Sequence, residues 1–68
     1  MGDEVEATLL RLADCAEQVV HLRKALEACG RLGMANEARD AVATALARAE
    51  LQKLQLEDHL RELVEHHP

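Results

Sequence analysis

The chain contains no phenylalanine, tyrosine or tryptophan, and its 68 residues include a single proline and three glycines. It therefore has little with which to grip a small ligand, since such sites are lined mainly by aromatic and other bulky groups. Cysteine is scarce too. Cys15 and Cys29 stand fourteen residues apart, too few for a disulfide framework. On one helix a rise of ~1.5 Å per residue separates them by ~21 Å. A disulfide tolerates Cα separations of only ~4.4–6.8 Å, so an internal bond is excluded.

Positive charge is also in deficit. Thirteen acidic residues face eight basic ones, for a net charge of −5. Arg11, Arg23, Lys24, Arg31, Arg39, Arg48, Lys53 and Arg61 are scattered among acids. Phosphate recognition wants basic residues clustered on one face, so neither nucleic acid nor an anionic membrane is an expected partner. No apolar run approaches the ~18 residues a membrane span needs. The opening Met1-Gly2-Asp3-Glu4 has the wrong charge for a secretory leader. Unpaired thiols without an export signal fit a reducing, intracellular setting, the cytoplasm.

What remains are two long amphipathic runs around one break, Cys29-Gly30-Arg31-Leu32-Gly33-Met34. The expectation is an all-α chain: a helix over 3–29, a turn over 30–34 and a helix over 35–66, paired as an antiparallel hairpin. Asp3, Glu4 and Glu6 open the first helix, where acids complement its positive end. Gly30 is expected to stop it, and Asn36 to cap the second.

The intrachain seam is expected from Val5, Leu9, Leu12, Val19 and Leu26 of the first helix with Val42, Leu56 and Leu63 of the second. With the turn near Leu32, residue i lies level with about 64 − i of the other helix. Val19 then faces Ala45, and Leu12 and Val5 face the polar Gln52 and His59. Glu27 comes near Arg39, and Arg61 near Asp3 and Glu6.

The apolar stripes are wider than one partner helix requires. Val20, Leu22, Leu46, Leu51, Leu54 and Leu60 are left as a partner surface, and domains of this size bury only ~60% of their unfolded surface. Covering several hundred Å² would contribute roughly 5–10 kcal/mol at ~25 cal/mol per Å². The expected role is non-enzymatic: a protein–protein interaction module whose hairpin pairs with a second copy in a four-helix bundle, or docks onto a partner helix.

Chemistry-bearing groups are sparse. No cofactor or metal is expected, the alternative being a metal-binding helical bundle whose ligands would come from His59, Glu62 and His66, which share one face of the second helix. Asp14, Glu17 and His21 repeat that spacing on the first. The Glu-x-x-His pairs of di-iron bundles are absent. A catalytic thiol needs a paired base and a pocket, and His21 points away from Cys15. Cys15 and Cys29 are expected to pack as small buried thiols, the alternative being a disulfide between two copies.

The stretch Gly33 to Leu46 resembles the second half of a tetratricopeptide repeat, with Gly33, Ala38, Val42, Ala45 and Leu46 at that family's spacing. The resemblance implies a shared solution for packing a helical hairpin. The turn Ala28-Cys29-Gly30-Arg31 looks like those of short hairpins in small-GTPase effectors, which makes a small GTPase an alternative partner.

Overall fold

A computed structural model describes residues 2–66. They form two helices, α1 (Gly2–Leu32) and α2 (Asn36–Glu65), folded into a rod of 53 × 14 × 12 Å. Among the described residues, no helix is long and apolar enough to cross a membrane.

The expected stop at Gly30 is corrected. Gly30 sits inside α1, which runs on to Leu32, and the residue with positive φ is Gly33, at 63°. There the Met34 N–H donates to the Cys29 carbonyl (3.1 Å) and the Gly33 N–H to the Gly30 carbonyl (3.4 Å). This crossed pair occupies carbonyls that the helix end leaves free, and it demands a left-handed residue at position 33. A side chain at Gly30 would meet nothing within 4 Å, and its helical backbone requires no glycine. The cap of α2 is likewise Ala35, not Asn36. Ala35 has extended backbone (φ −55°, ψ 146°), and its carbonyl accepts from the N–H groups of Ala38 and Arg39 at 3.1 and 3.2 Å. Its side chain caps nothing. The second helix ends at Glu65, with the His66 N–H bonded to the Glu62 carbonyl.

Helix α1 turns inward a row spaced alternately by three and four: Val5, Thr8, Leu12, Cys15, Val19, Leu22, Leu26 and Cys29, all buried or half-buried. Its counterpart in α2 is Val42, Leu46, Ala49, Lys53, Leu56, Leu60 and Leu63. This is the seven-residue repeat of a two-helix seam. Leu9 does not belong to it. Leu9 is 49% exposed, while Thr8 beside it is 5% exposed. Thr8 tolerates burial because its hydroxyl donates to the Glu4 carbonyl one turn back, at 2.8 Å.

The turn also corrects the level pairing. It is centred on Met34 rather than Leu32, which slides α2 by about one helical turn against the expected alignment. Counted from that turn, Leu12 falls level with Leu56, Val5 with Leu63 and Val19 with Ala49, while Cys15 meets Ala49 and Glu4 meets His59, contacts close to the expected count. Apolar meets apolar where the expected alignment sets Leu12 against Gln52. Side chains bordering the seam reach across diagonally, Glu4 to His59 on one flank and Arg23 to Glu50 on the other. Arg61 pairs with Asp58 of its own helix at 3.7 Å instead of with Asp3 or Glu6.

Candidate interaction surface

The interior of the rod is narrow. Thr8, Cys15, Val19, Cys29 and Ala49 are its buried residues, all small or medium in size. No large side chain is fully buried among the described residues. Small residues on both sides of the seam let the helices approach closely. At the tightest point the Cys15 thiol donates to the Ala49 carbonyl across the seam, 3.1 Å away.

Leu22, Leu46 and Leu60, expected on a partner surface, are half-buried in the seam. Leu22 belongs to the inward row of α1, and Leu46 and Leu60 to that of α2. Val20, Leu51 and Leu54 are exposed, together with Leu9, Leu10 and Val64, each between 48% and 63%.

By the seven-residue repeat, Leu9, Val20, Leu54 and Val64 share one side of the rod, Leu10 and Leu51 lie on the backs of their helices, and Leu32, 76% exposed, falls on the other side near the turn. The helical positions that border the seam beside Arg23 and Glu50 carry Leu9, Ala16, Ala43 and Val64. The next positions outward carry Ala13, Val20, Ala47 and Leu54, and Leu10 and Leu51 mark the outer edges. The opposite flank carries Glu4, Arg11, Gln18, Gln52 and His59, with alanines between them. The first flank thus carries exposed leucine and valine interspersed with Glu6, Arg23, Glu27, Glu50, Glu57 and Arg61, whereas the second is polar. A shallow groove on the apolar flank is lined by Val19, Arg23, Glu50, Lys53, Leu54 and Glu57. There the Lys53 stem covers apolar surface while its charged end reaches out.

Neither thiol is presented for chemistry. Cys15 and Cys29 are buried and unbonded, so a disulfide between two copies requires the seam to open. The groove beside Cys15 is lined by Arg11, Asp14, Gln18, Gln52 and Leu56, with no histidine to serve as a base. Among the described residues, no three of His, Cys, Asp or Glu stand close enough to hold a metal ion. His59 faces Glu4 at 3.8 Å, apart from any ligand group with Glu62 and His66, and His21 lies 3.7 Å from Glu17 on the exposed face. The pairs Arg23–Glu50 and Arg61–Asp58 are isolated and exposed, and such ion pairs are worth ~0–1 kcal/mol each.

No protein-family model, curated protein or solved structure matches the chain.

Proposed function

We propose that this chain is a non-enzymatic protein–protein interaction module, a helical hairpin whose apolar flank packs against another helical polypeptide and completes a four-helix bundle. The observation that carries this reading is the exposure of Leu9, Val20, Leu54 and Val64 on one side, with Leu10 and Leu51 at its edges, on a rod whose described residues include no fully buried large side chain. Area points the same way. The rod exposes 5313 Å², whereas a compact monomer of 7.5 kDa exposes roughly 4,200 Å². The difference, roughly 1,100 Å² per chain, is of the order that a stable interface removes from each partner, about 800 Å². A chain this short lacks disulfides among its described residues, so association is the available route to stability.

The test is melting followed by circular dichroism over a hundredfold dilution series, for wild type and for Leu9→Glu with Leu54→Glu. Association makes the wild-type melting temperature rise with concentration, and the double variant melts lower without that dependence. A wild type with a sharp, concentration-independent melt that the two glutamates leave unmoved would end this reading.

A further inference from the structure

We infer that the seam thiols make this hairpin a redox-sensitive switch. A low-molecular-weight disulfide of the glutathione disulfide class caps Cys15 when the helices part, and the cap then holds them apart. The first support is where the thiols stand. Among the described residues the buried apolar core consists of Cys15, Val19, Cys29 and Ala49, so two of its four members are thiols. Both belong to the inward row of α1. No large side chain is fully buried among those residues to hold the helices together in their place. Close packing along the seam therefore requires both sulfurs to stay small.

The second support is the clearance at Cys15. Its Sγ lies 3.1 Å from the Ala49 carbonyl oxygen, and both residues are buried. A mixed disulfide adds a second sulfur ~2 Å from Sγ, with a peptide behind it. Two helices in such contact have no room for that group, and closing over it would overpack the seam. The shallow groove lined by Arg11, Asp14, Gln18, Gln52 and Leu56 brings a reagent to the edge of the seam beside Cys15. The remaining step is parting of the helices.

The reaction is thiol–disulfide exchange. The Cys15 thiolate attacks one sulfur of the reagent, a bond forms between them, and the reagent's own S–S bond breaks. The Cys15 sulfur is oxidised and the departing half of the reagent is reduced. That half leaves as a thiolate and takes up the proton that Cys15 gave up. A free thiol of the same class reverses the exchange, so reduction restores the closed hairpin. Cys29 lies in the last turn of α1, so an adduct there loosens the turn end, whereas one at Cys15 parts the seam at its closest point. Helices in proteins draw most of their stability from packing an apolar face, so parting the seam also lowers helical content. Leu9 and Val20 stand on α1, and Leu54 and Val64 on α2, so the same event dismantles the exposed flank. That last consequence alone rests on the interaction-module reading.

The experiment treats Cys29→Ala, Cys15→Ala and wild type with excess glutathione disulfide and then with dithiothreitol, following adduct mass and circular dichroism together at one fixed concentration. Cys29→Ala, which keeps Cys15, takes one adduct more slowly in buffer than in denaturant, by the closed-to-open ratio that urea melting gives. It loses most of its helical signal as the adduct accumulates and regains it on reduction. Cys15→Ala keeps the larger part of its signal when modified. Wild type, with its adducts located by peptide mapping, gives the same reading if Cys29→Ala does not fold. Modification of Cys15 in buffer at the denatured-chain rate overturns the switch, and so does an adduct on Cys15 that leaves helicity and melting unchanged. A Cys15 still unmodified at the urea midpoint overturns it as well, and an equal loss of signal from Cys15→Ala overturns the assignment to Cys15. None of these readouts involves association, so the module reading is judged separately by the melting of the Leu9→Glu and Leu54→Glu double variant.

Discussion

The Cys15 thiol donates to the carbonyl oxygen of Ala49 across the seam, at 3.1 Å. Both residues are almost fully buried, at 5% and 4% exposure. A thiol reaches the backbone of a neighbouring helix only where the intervening side chain is as small as the methyl of Ala49. The pair therefore marks where the two helices come closest, near the middle of the rod.

Enlarging that contact should separate the helices. Ala49→Leu is expected to destabilise the hairpin by about 1–3 kcal/mol through overpacking. Cys15→Ala should cost about 1 kcal/mol, from one lost buried heavy atom and a weak hydrogen bond. Urea unfolding followed by circular dichroism measures both. An Ala49→Leu chain as stable as wild type would show that the seam has room to spare.

Both thiols should resist modification while the hairpin is closed. Cys15 and Cys29 are buried, so maleimide labelling should be slow in buffer and complete in denaturant. Its native rate should follow the opening of the seam. Full labelling of either thiol within the mixing time under native conditions would contradict the packing.

The two glycines of the connection should answer oppositely to alanine. Gly30 lies within α1 with open space around it, so Gly30→Ala should stabilise by up to about 1 kcal/mol. Gly33 has φ of 63°, and Gly33→Ala should destabilise by about 1 kcal/mol or more. Thermal melts of the two variants at one fixed concentration decide the matter. A gain at position 33 or a loss at position 30 would place the helix end elsewhere.

The N-terminus of α2 leaves stability unused. Ala35 occupies the cap with no side-chain hydrogen bond, and alanine is among the poorer residues there. Ala35→Ser or Ala35→Asp should stabilise by about 0.5–2 kcal/mol. The same change at Asn36, already inside the helix, should gain far less. Denaturation midpoints of the four variants provide the comparison.

Leu9 shows where sequence reasoning went astray. Two stripes overlap in α1, one through Leu9 and Ala16 and the other through Thr8, Cys15, Leu22 and Cys29. Hydrophobicity alone favours the first. The strict seven-residue spacing of Thr8, Cys15, Leu22 and Cys29 was the signal for the second, and the matching row Leu46, Lys53 and Leu60 in α2 supported it. The level pairing was legible too. An alignment that sets Leu12 against Gln52 and Val5 against His59 is improbable on burial grounds, and centring the turn on Met34 removes both mismatches. The surplus of apolar side chains was plain from composition. The concentration of Leu9, Val20, Leu54 and Val64 on one flank was not, because that follows only once the inward rows are known.

Local physics settled the elements of this protein. Unbroken 3.6-residue periodicity and the absence of proline inside either run specify two helices. One glycine-marked break joins them, and the acid-rich composition disfavours phosphate partners. These are properties of single segments, and each is written in its own residues. The facing rows, the sliding of α2 and the difference between the two flanks belong to the pair. They depend on how closely two surfaces approach, and close approach is a joint property. Thr8, Cys15 and Cys29 become interior residues because small groups such as Ala49 on the other helix let the backbones come together. Dispersion attraction summed along the whole seam outweighs the transfer energy of Leu9, which the closer packing leaves outside.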